Sequence, residues 1–254
     1  MREHLFDRRA PADPLFRWRG REVSRVEGLS DGVFAVTLTL LIVSVGVPAT
    51  FYELWLVIRD LPIFLASFAL LLMAWQYHYL FFRRYGLEDG WTNLLNAVFL
   101  FLVLFYAYPL KFLATFLWRV ILGEGASAMF TLPAGVEWTV GSFDQREWMM
   151  IFYGIGIVGV FGVLALMVWR AYQLRDQLEL DAVECELTRG SIRAHFITVS
   201  VALLSLAVVA TTRDPGWAGI VYFLMGPGQA ANGFYSANRA ERIRRNLEPT
   251  GAAE

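Results

Sequence analysis

The sequence predicts an all-α membrane protein with six transmembrane helices per subunit and both termini in the cytoplasm. Three observations predict it. The 254 residues are 57% hydrophobic and only 18% charged, with a mean hydropathy of +0.47, more apolar surface than a soluble domain can bury. Six segments, 29–48, 61–82, 92–118, 149–170, 192–211 and 217–236, reach the length of about 20 mostly apolar residues that crosses a bilayer. Finally, an arrangement with the amino terminus inside puts 17 of the 22 Lys and Arg residues on the cytoplasmic side, as the positive-inside rule requires.

The chain divides at its charge boundaries. Residues 1–24 read as a cytoplasmic arginine-rich leader; they carry Pro11 and Pro14 and lack the apolar core of a signal peptide. Residues 25–238 hold the six-helix transmembrane domain, and 239–254 form a cytoplasmic basic tail. Arg59-Asp60 interrupts an apolar stretch before the second span and suits the membrane interface. The longest outer loop is 120–147. The inner loop 171–191 is charged and reads as a short helical extension. The six-span unit is not repeated within the chain. A net charge of −1 argues against a nucleic-acid surface. The single cysteine, Cys185, excludes an intrachain disulfide and a cysteine metal cluster, and His4 and His195, lacking metal partners at ligand spacing, read as interfacial.

Polar residues inside spans are costly and call for partners. Asp31 lies near the cytoplasmic end of the first span, His78 in the last turns of the inward-running second span, and Asn96 one turn into the third. Trp75 shares a helix face with His78. These groups fall in one layer, where hydrogen bonding among them would offset their burial. They form either a functional network or a clasp that only fixes helix packing.

At about 100° per residue, Leu29, Val33, Val36, Thr39, Leu40, Val43 and Val47 form one stripe of the first span, with Asp31 on the other side. An apolar stripe with one hydroxyl can line a pore, where an apolar neck gates by dewetting and hydroxyls assist a partly dehydrated cation. It can equally be a packing seam. Gly154-Ile155-Gly156-Ile157-Val158-Gly159 matches a dinucleotide fingerprint literally but lies inside an apolar span without a preceding strand, so close helix approach explains it better. Thr139-Val140-Gly141-Ser142 lacks the ending of a TVGYG potassium filter. Arginines at every third position, the mark of a voltage sensor, are absent from the spans. Pro109 should bend the third span and Lys111 snorkel outward.

The first span, Arg25-x-x-x-Leu29-Ser30-Asp31-Gly32-Val33-Phe34-Ala35-Val36-x-x-Thr39-Leu40-Leu41, resembles the first-helix signature of the transmembrane protein 175 family of potassium-permeable channels. Trp75-x-x-His78-x-Leu80-Phe81, Asp89, Leu95-Asn96 and Pro109 extend the resemblance over residues 25–110. It implies a six-span subunit of the prokaryotic single-repeat form, assembled as a homotetramer with the first helices lining the pore. It implies Val36 as the hydrophobic constriction, Thr39 as a hydroxyl layer and Val43 as a further apolar layer, with Leu40 beside them on the ion path. Arg25, Ser30, Asp31, Trp75, His78 and Asn96 are implied as the inter-helix network supporting the pore helix. Two positions depart from the family pattern: Leu29 replaces the usual Phe, and Val36 is smaller than the usual Ile or Leu.

The expected function is a leak-type potassium-selective channel of the bacterial cytoplasmic membrane, with K⁺ as the permeant ion, no cofactor or metal, and only itself and the lipid bilayer as partners. Protonation of His78 would reorganise the network and make conductance pH-dependent. The alternatives are a proton-permeable or weakly selective cation leak, a membrane transporter or enzyme using Asp31 and His78 as acid and base, and a non-conducting scaffold.

Overall fold

A computed structural model describes residues 15–20, 22–43, 47–123, 126–138 and 140–247. Residues 1–14 of the leader with His4, Ser44 to Gly46 at the end of the first span, Thr139, and the last part of the tail lie outside them. Among the described residues the elements are helices α1 (Arg25–Val43), α2 (Phe51–Arg59), α3 (Leu61–Tyr85), α4 (Gly90–Leu122), α5 (Gln145–Gln173), α6 (Ala182–Thr212), α7 (Pro215–Val221) and α8 (Met225–Leu247), with 3₁₀ turns at Ala126–Phe130 and Tyr222–Leu224.

Local chemistry sets the ends. Asp144 and Glu147 form a reciprocal capping box that starts α5, and Asp181 and Glu184 do the same for α6, each satisfying donors the first turn leaves free. That second box explains why the fifth span starts at Ala182, well before its apolar run: the second half of the charged inner loop, from Ala182, is the first turns of α6. Gly86 and Gly123, both left-handed, end α3 and α4. Asp60 separates α2 from α3, so the interfacial stretch is a short helix of its own with no buried residue. Pro109 lies inside the continuous α4, and the Tyr153 hydroxyl of α5 donates to its carbonyl.

Five helices, α1, α3, α4, α5 and α6, are long and apolar enough to cross a membrane. The sixth expected segment is divided between α7, a 3₁₀ turn and α8. The apolar residues fall on both sides of the break, Gly226-Pro227-Gly228 follows it, and α8 continues through polar sequence to Leu247. Val47, placed on the first-span stripe by periodicity, lies beyond the end of α1 in non-helical chain.

α1 packs on α3 and α4, α4 on α5, α5 on α6, and α6 on α7 and α8. Phe34, Phe81, Phe82, Phe99, Leu164 and Met167 join α1, α3, α4 and α5 in one core, against which Leu187 and Ile192 of α6 pack. The glycine run of α5 is a close-approach surface: an added Cβ would lie 2.6 Å from Leu206 at Gly154, 2.3 Å from Tyr106 at Gly156 and 3.2 Å from Leu102 at Gly159. His195, expected at the interface, is instead buried, its ring 5.2 Å from Tyr77 and 6.0 Å from Phe161. The apolar residues around it on α3 and α5 close over the ring.

The described part of the leader is built into the bundle. The Arg19 and Gly20 amides donate to the Arg83 carbonyl at the end of α3, both at 3.1 Å. The Arg19 guanidinium meets Glu184 at 2.6 Å, and Phe16 is buried edge-on against Tyr85. Gly20 permits this crossing, because a Cβ there would lie 2.3 Å from the Phe82 carbonyl oxygen.

Candidate functional site

α1 has two unlike faces. Glu27, Ser30, Phe34, Thr37 and Leu41 are buried against α3 and α4. On the opposite side Leu29, Val36, Thr39, Ile42 and Val43 are exposed, Val36 at 55% and Val43 at 64%; Gly28, Gly32 and Ala35 share that side. Leu40 and Val33 are half-buried at the rim. The Thr39 hydroxyl donates to the Ala35 carbonyl at 2.8 Å, which leaves its oxygen lone pairs directed away from the bundle as acceptors. Thr37 makes the equivalent bond to Val33 at 2.7 Å but is fully buried.

The polar residues expected in one network divide into two. Asn96 of α4 donates to the Ser30 hydroxyl at 3.1 Å, and its carbonyl lies 2.8 Å from Nε2 of His78. Ser30 in turn donates to the Val26 carbonyl at 2.8 Å. With the Asn96 amide committed to Ser30, its oxygen faces His78, which donates from Nε2. The imidazole sits in an aromatic box, stacked on Phe99 at 5.5 Å with Phe82 at 4.8 Å and Phe34 at 6.0 Å. Asp31 makes a separate contact: Trp75 donates to its carboxylate at 2.9 Å. The carboxylate is exposed beside the open face of α1 rather than turned into the bundle, because Ser30, one position earlier, occupies the buried angle. Arg25 is also exposed and takes no part in the buried Ser30–Asn96–His78 chain.

Sequence reasoning missed the charged tie at the base of α1. Arg83 donates to Glu27 at 3.0 Å and to the Gly20 carbonyl at 2.8 Å. A glutamate in the first turn of one helix and an arginine in the last turn of the next was the available signal. Asp89, noted only for resemblance, holds Arg170 of α5 at 3.0 Å and accepts from Thr92. Burial alone would raise its carboxyl, but the hydrogen bonds from Thr92 and Arg170 and the guanidinium charge together hold it below the usual carboxylate range. Among the described residues no group of three or more His, Cys, Asp or Glu side chains could hold a metal ion.

The fold is that of a multi-pass helical membrane protein. Comparison with known proteins makes the class specific. A family model described as endosomal/lysosomal potassium channel TMEM175 matches residues 25–106. A potassium channel of Marivirga tractuosa is 37% identical over 247 residues, covering 94% of this chain and 98% of its own length. A potassium channel of Chamaesiphon minutus is 33% identical over 138 residues, half of this chain and 64% of its own. The crystal structure of a threonine-to-alanine variant of the potassium channel MtTMEM175, in complex with a nanobody–MBP fusion protein, superposes with a TM-score of 0.74 at 36% identity, covering 89% of this chain and 98% of that one. The chain belongs to the TMEM175 family of potassium channels, a family of ion channels and not of enzymes.

Proposed function

We propose that four copies of the chain form a leak-type, potassium-selective channel in the bacterial cytoplasmic membrane, with α1 of each copy lining the pore. The observation that carries this reading is the division of α1 into a packed face and an open face of small and apolar residues with one outward hydroxyl. One helix cannot enclose a path, so the open face needs copies of itself around an axis. Val36 is then the apolar constriction, Thr39 the hydroxyl layer and Val43 a further apolar layer, with Leu40 at the rim. Potassium gives up hydration water more readily than sodium, so a neck without strong ligands disfavours sodium more, while Thr39 oxygens partly replace the water lost. The Ser30–Asn96–His78 chain and the Asp31–Trp75 contact hold α1 in register with α3 and α4. Arg25 stands at the cytoplasmic entrance.

In this reading α7, the 3₁₀ turn and α8 together make a sixth span and both termini are cytoplasmic, which agrees with the arginine distribution. Among the described residues the Val140 carbonyl accepts from the Trp148 indole at 2.7 Å and that of Ser142 from Arg213 at 3.1 Å, which supports reading this stretch as a packed loop and not a TVGYG-type filter. The test is the reversal potential of purified protein in a planar bilayer with potassium on one side and sodium on the other. A value near the potassium equilibrium potential is expected. A value near zero favours the second reading, a proton-permeable or weakly selective leak, for which the small Val36 side chain is the specific argument. No current from tetrameric protein would overturn both.

A further inference from the structure

Away from α1, the arginine-bearing ends of α5 and α6 enclose a cleft of about 400 Å³ lined by Trp169, Tyr172, Arg189, Ile192, Arg193 and Phe196. Its charges are unbalanced. Glu186, whose side chain is only 2% exposed, lies 2.8 Å from Arg193, 3.2 Å from Arg239 and 4.0 Å from Arg189. One carboxylate therefore serves three guanidinium groups and leaves two positive charges in excess. Arg175 stacks over the Tyr172 ring at 5.0 Å, and its own carboxylate contact is Asp176 at 3.8 Å, outside the cleft. Arg189 is aimed rather than free: its Nε donates to the Tyr172 hydroxyl at 2.7 Å, and its side chain remains 49% exposed.

The cleft is also ordered along the membrane normal. Arg189 and Arg193 are one turn apart, and Phe196 lies about 10 Å deeper than Arg189 along α6 at about 1.5 Å per residue. Trp169 is likewise one turn deeper than Tyr172 on α5, and Trp169 and Phe196 are about half exposed. Cations at the interface above exposed apolar and aromatic surface match an anionic headgroup above acyl chains. α1 packs on α3 and α4, whereas this cleft lies on α5 and α6, so an assembly built around α1 leaves it facing lipid.

We infer that this cleft is a binding site for an anionic phospholipid, with Arg189 holding the headgroup phosphate, Arg193, whose Nε and Nη2 are engaged by Asn232, Glu186 and Ser236, adding positive charge beside it, and Trp169 and Phe196 contacting the acyl chains. The inference rests on the membrane placement of the chain and not on conduction, so it stands or falls separately from the channel reading.

The test is native mass spectrometry of the purified protein titrated with phosphatidylglycerol or phosphatidylcholine of identical chains. Phosphatidylglycerol is expected to bind more tightly. Arg189→Gln should lower its affinity about fivefold, the share of one interfacial cation, while Arg245→Gln, which removes a distant arginine exposed at 74%, should leave it unchanged. If Arg189→Gln does not fold, Phe196→Ala carries the test, because it leaves all the arginines in place and should weaken the same lipid. Equal affinity for the two lipids, an unaltered phosphatidylglycerol affinity in Arg189→Gln or Phe196→Ala, or full competition by inorganic phosphate would each overturn the assignment, the last by giving the site to a free anion.

Discussion

Arg83 in the last turn of α3 holds Glu27 in the first turn of α1 through a 3.0 Å ion pair whose side chains are 11% and 8% exposed. Glu27 also accepts from the Ser24 amide at 2.9 Å while its own amide donates to the Ser24 hydroxyl. The carboxylate thus starts α1 and ties it to α3 at once. Removing one member of such a pair leaves the other buried without compensation, which costs about 3 kcal/mol. Glu27→Gln and Arg83→Gln are each expected to lower the melting temperature of the purified protein markedly. The double variant should fall well short of the sum of the two. Additive losses would mean that the two side chains stabilise the fold independently.

The Ser30–Asn96–His78 chain yields a different order of effects. Asn96→Leu strands the buried His78 imidazole, at about 1–3 kcal/mol, and removes the donor to Ser30, whose hydroxyl keeps its own bond to the Val26 carbonyl. His78→Gln keeps an amide donor near the Asn96 carbonyl and should be the milder change. Thermal melts of both variants, recorded at a pH away from histidine titration, check the order. A milder Asn96→Leu would mean that the chain is not what fastens α1 to α4.

Much of this arrangement was legible in the sequence because depth and periodicity are sequence properties. The layer of Asp31, His78 and Asn96 follows from counting residues into three antiparallel spans, with Ser30 added only by the family resemblance, and the open stripe of α1 follows from its 3.6-residue period. What the period cannot supply is the angular position of neighbouring helices. Asp31 was therefore expected among the buried partners, although only the packing of α3 and α4 determines that Ser30 takes the inward angle and Asp31 meets the Trp75 indole. The burial of His195 depends in the same way on Tyr77 and Phe161 coming from two other helices. The divided last segment was hidden for another reason: a hydropathy window averages across the 3₁₀ turn at Tyr222–Leu224 and sees one apolar run where the backbone makes two helices.

Acid should weaken the contact between Asp89 of the α4 cap and Arg170 of α5. Asp89, held below the usual carboxylate range by Thr92 and Arg170 against the opposing effect of burial, is ionised in the folded protein at pH values where an unfolded aspartate already takes up a proton. Its contribution is fully present above the ordinary carboxylate range and is lost as pH falls through the depressed value. Both side chains are about 30% exposed, so the pair is worth about 1 kcal/mol or less. Asp89→Asn is expected to lower stability slightly at neutral pH and to flatten the stability–pH curve at its acid end. A curve of unchanged slope in the variant would assign the acid sensitivity to other carboxylates.

Thr37 and Thr39 provide an internal contrast for the pore proposal. Each hydroxyl donates to the carbonyl four residues earlier, at 2.7 and 2.8 Å, so their local chemistry is alike and only the face differs. In the proposed tetramer, Thr39→Val would remove an outward oxygen from each of the four α1 helices. If a potassium ion loses on the order of 1 kcal/mol of coordination at the neck, its conductance falls about fivefold. Thr37→Val changes a buried hydroxyl against α3 and α4 and should leave single-channel conductance as it was. Val36→Asn would wet the proposed constriction and should raise sodium permeability, moving the reversal potential toward zero under potassium–sodium gradients. Single-channel recordings of the three variants decide between the two faces. Equal losses from Thr37→Val and Thr39→Val, with no shift in reversal potential from Val36→Asn, would mean that ions do not pass along the open face of α1.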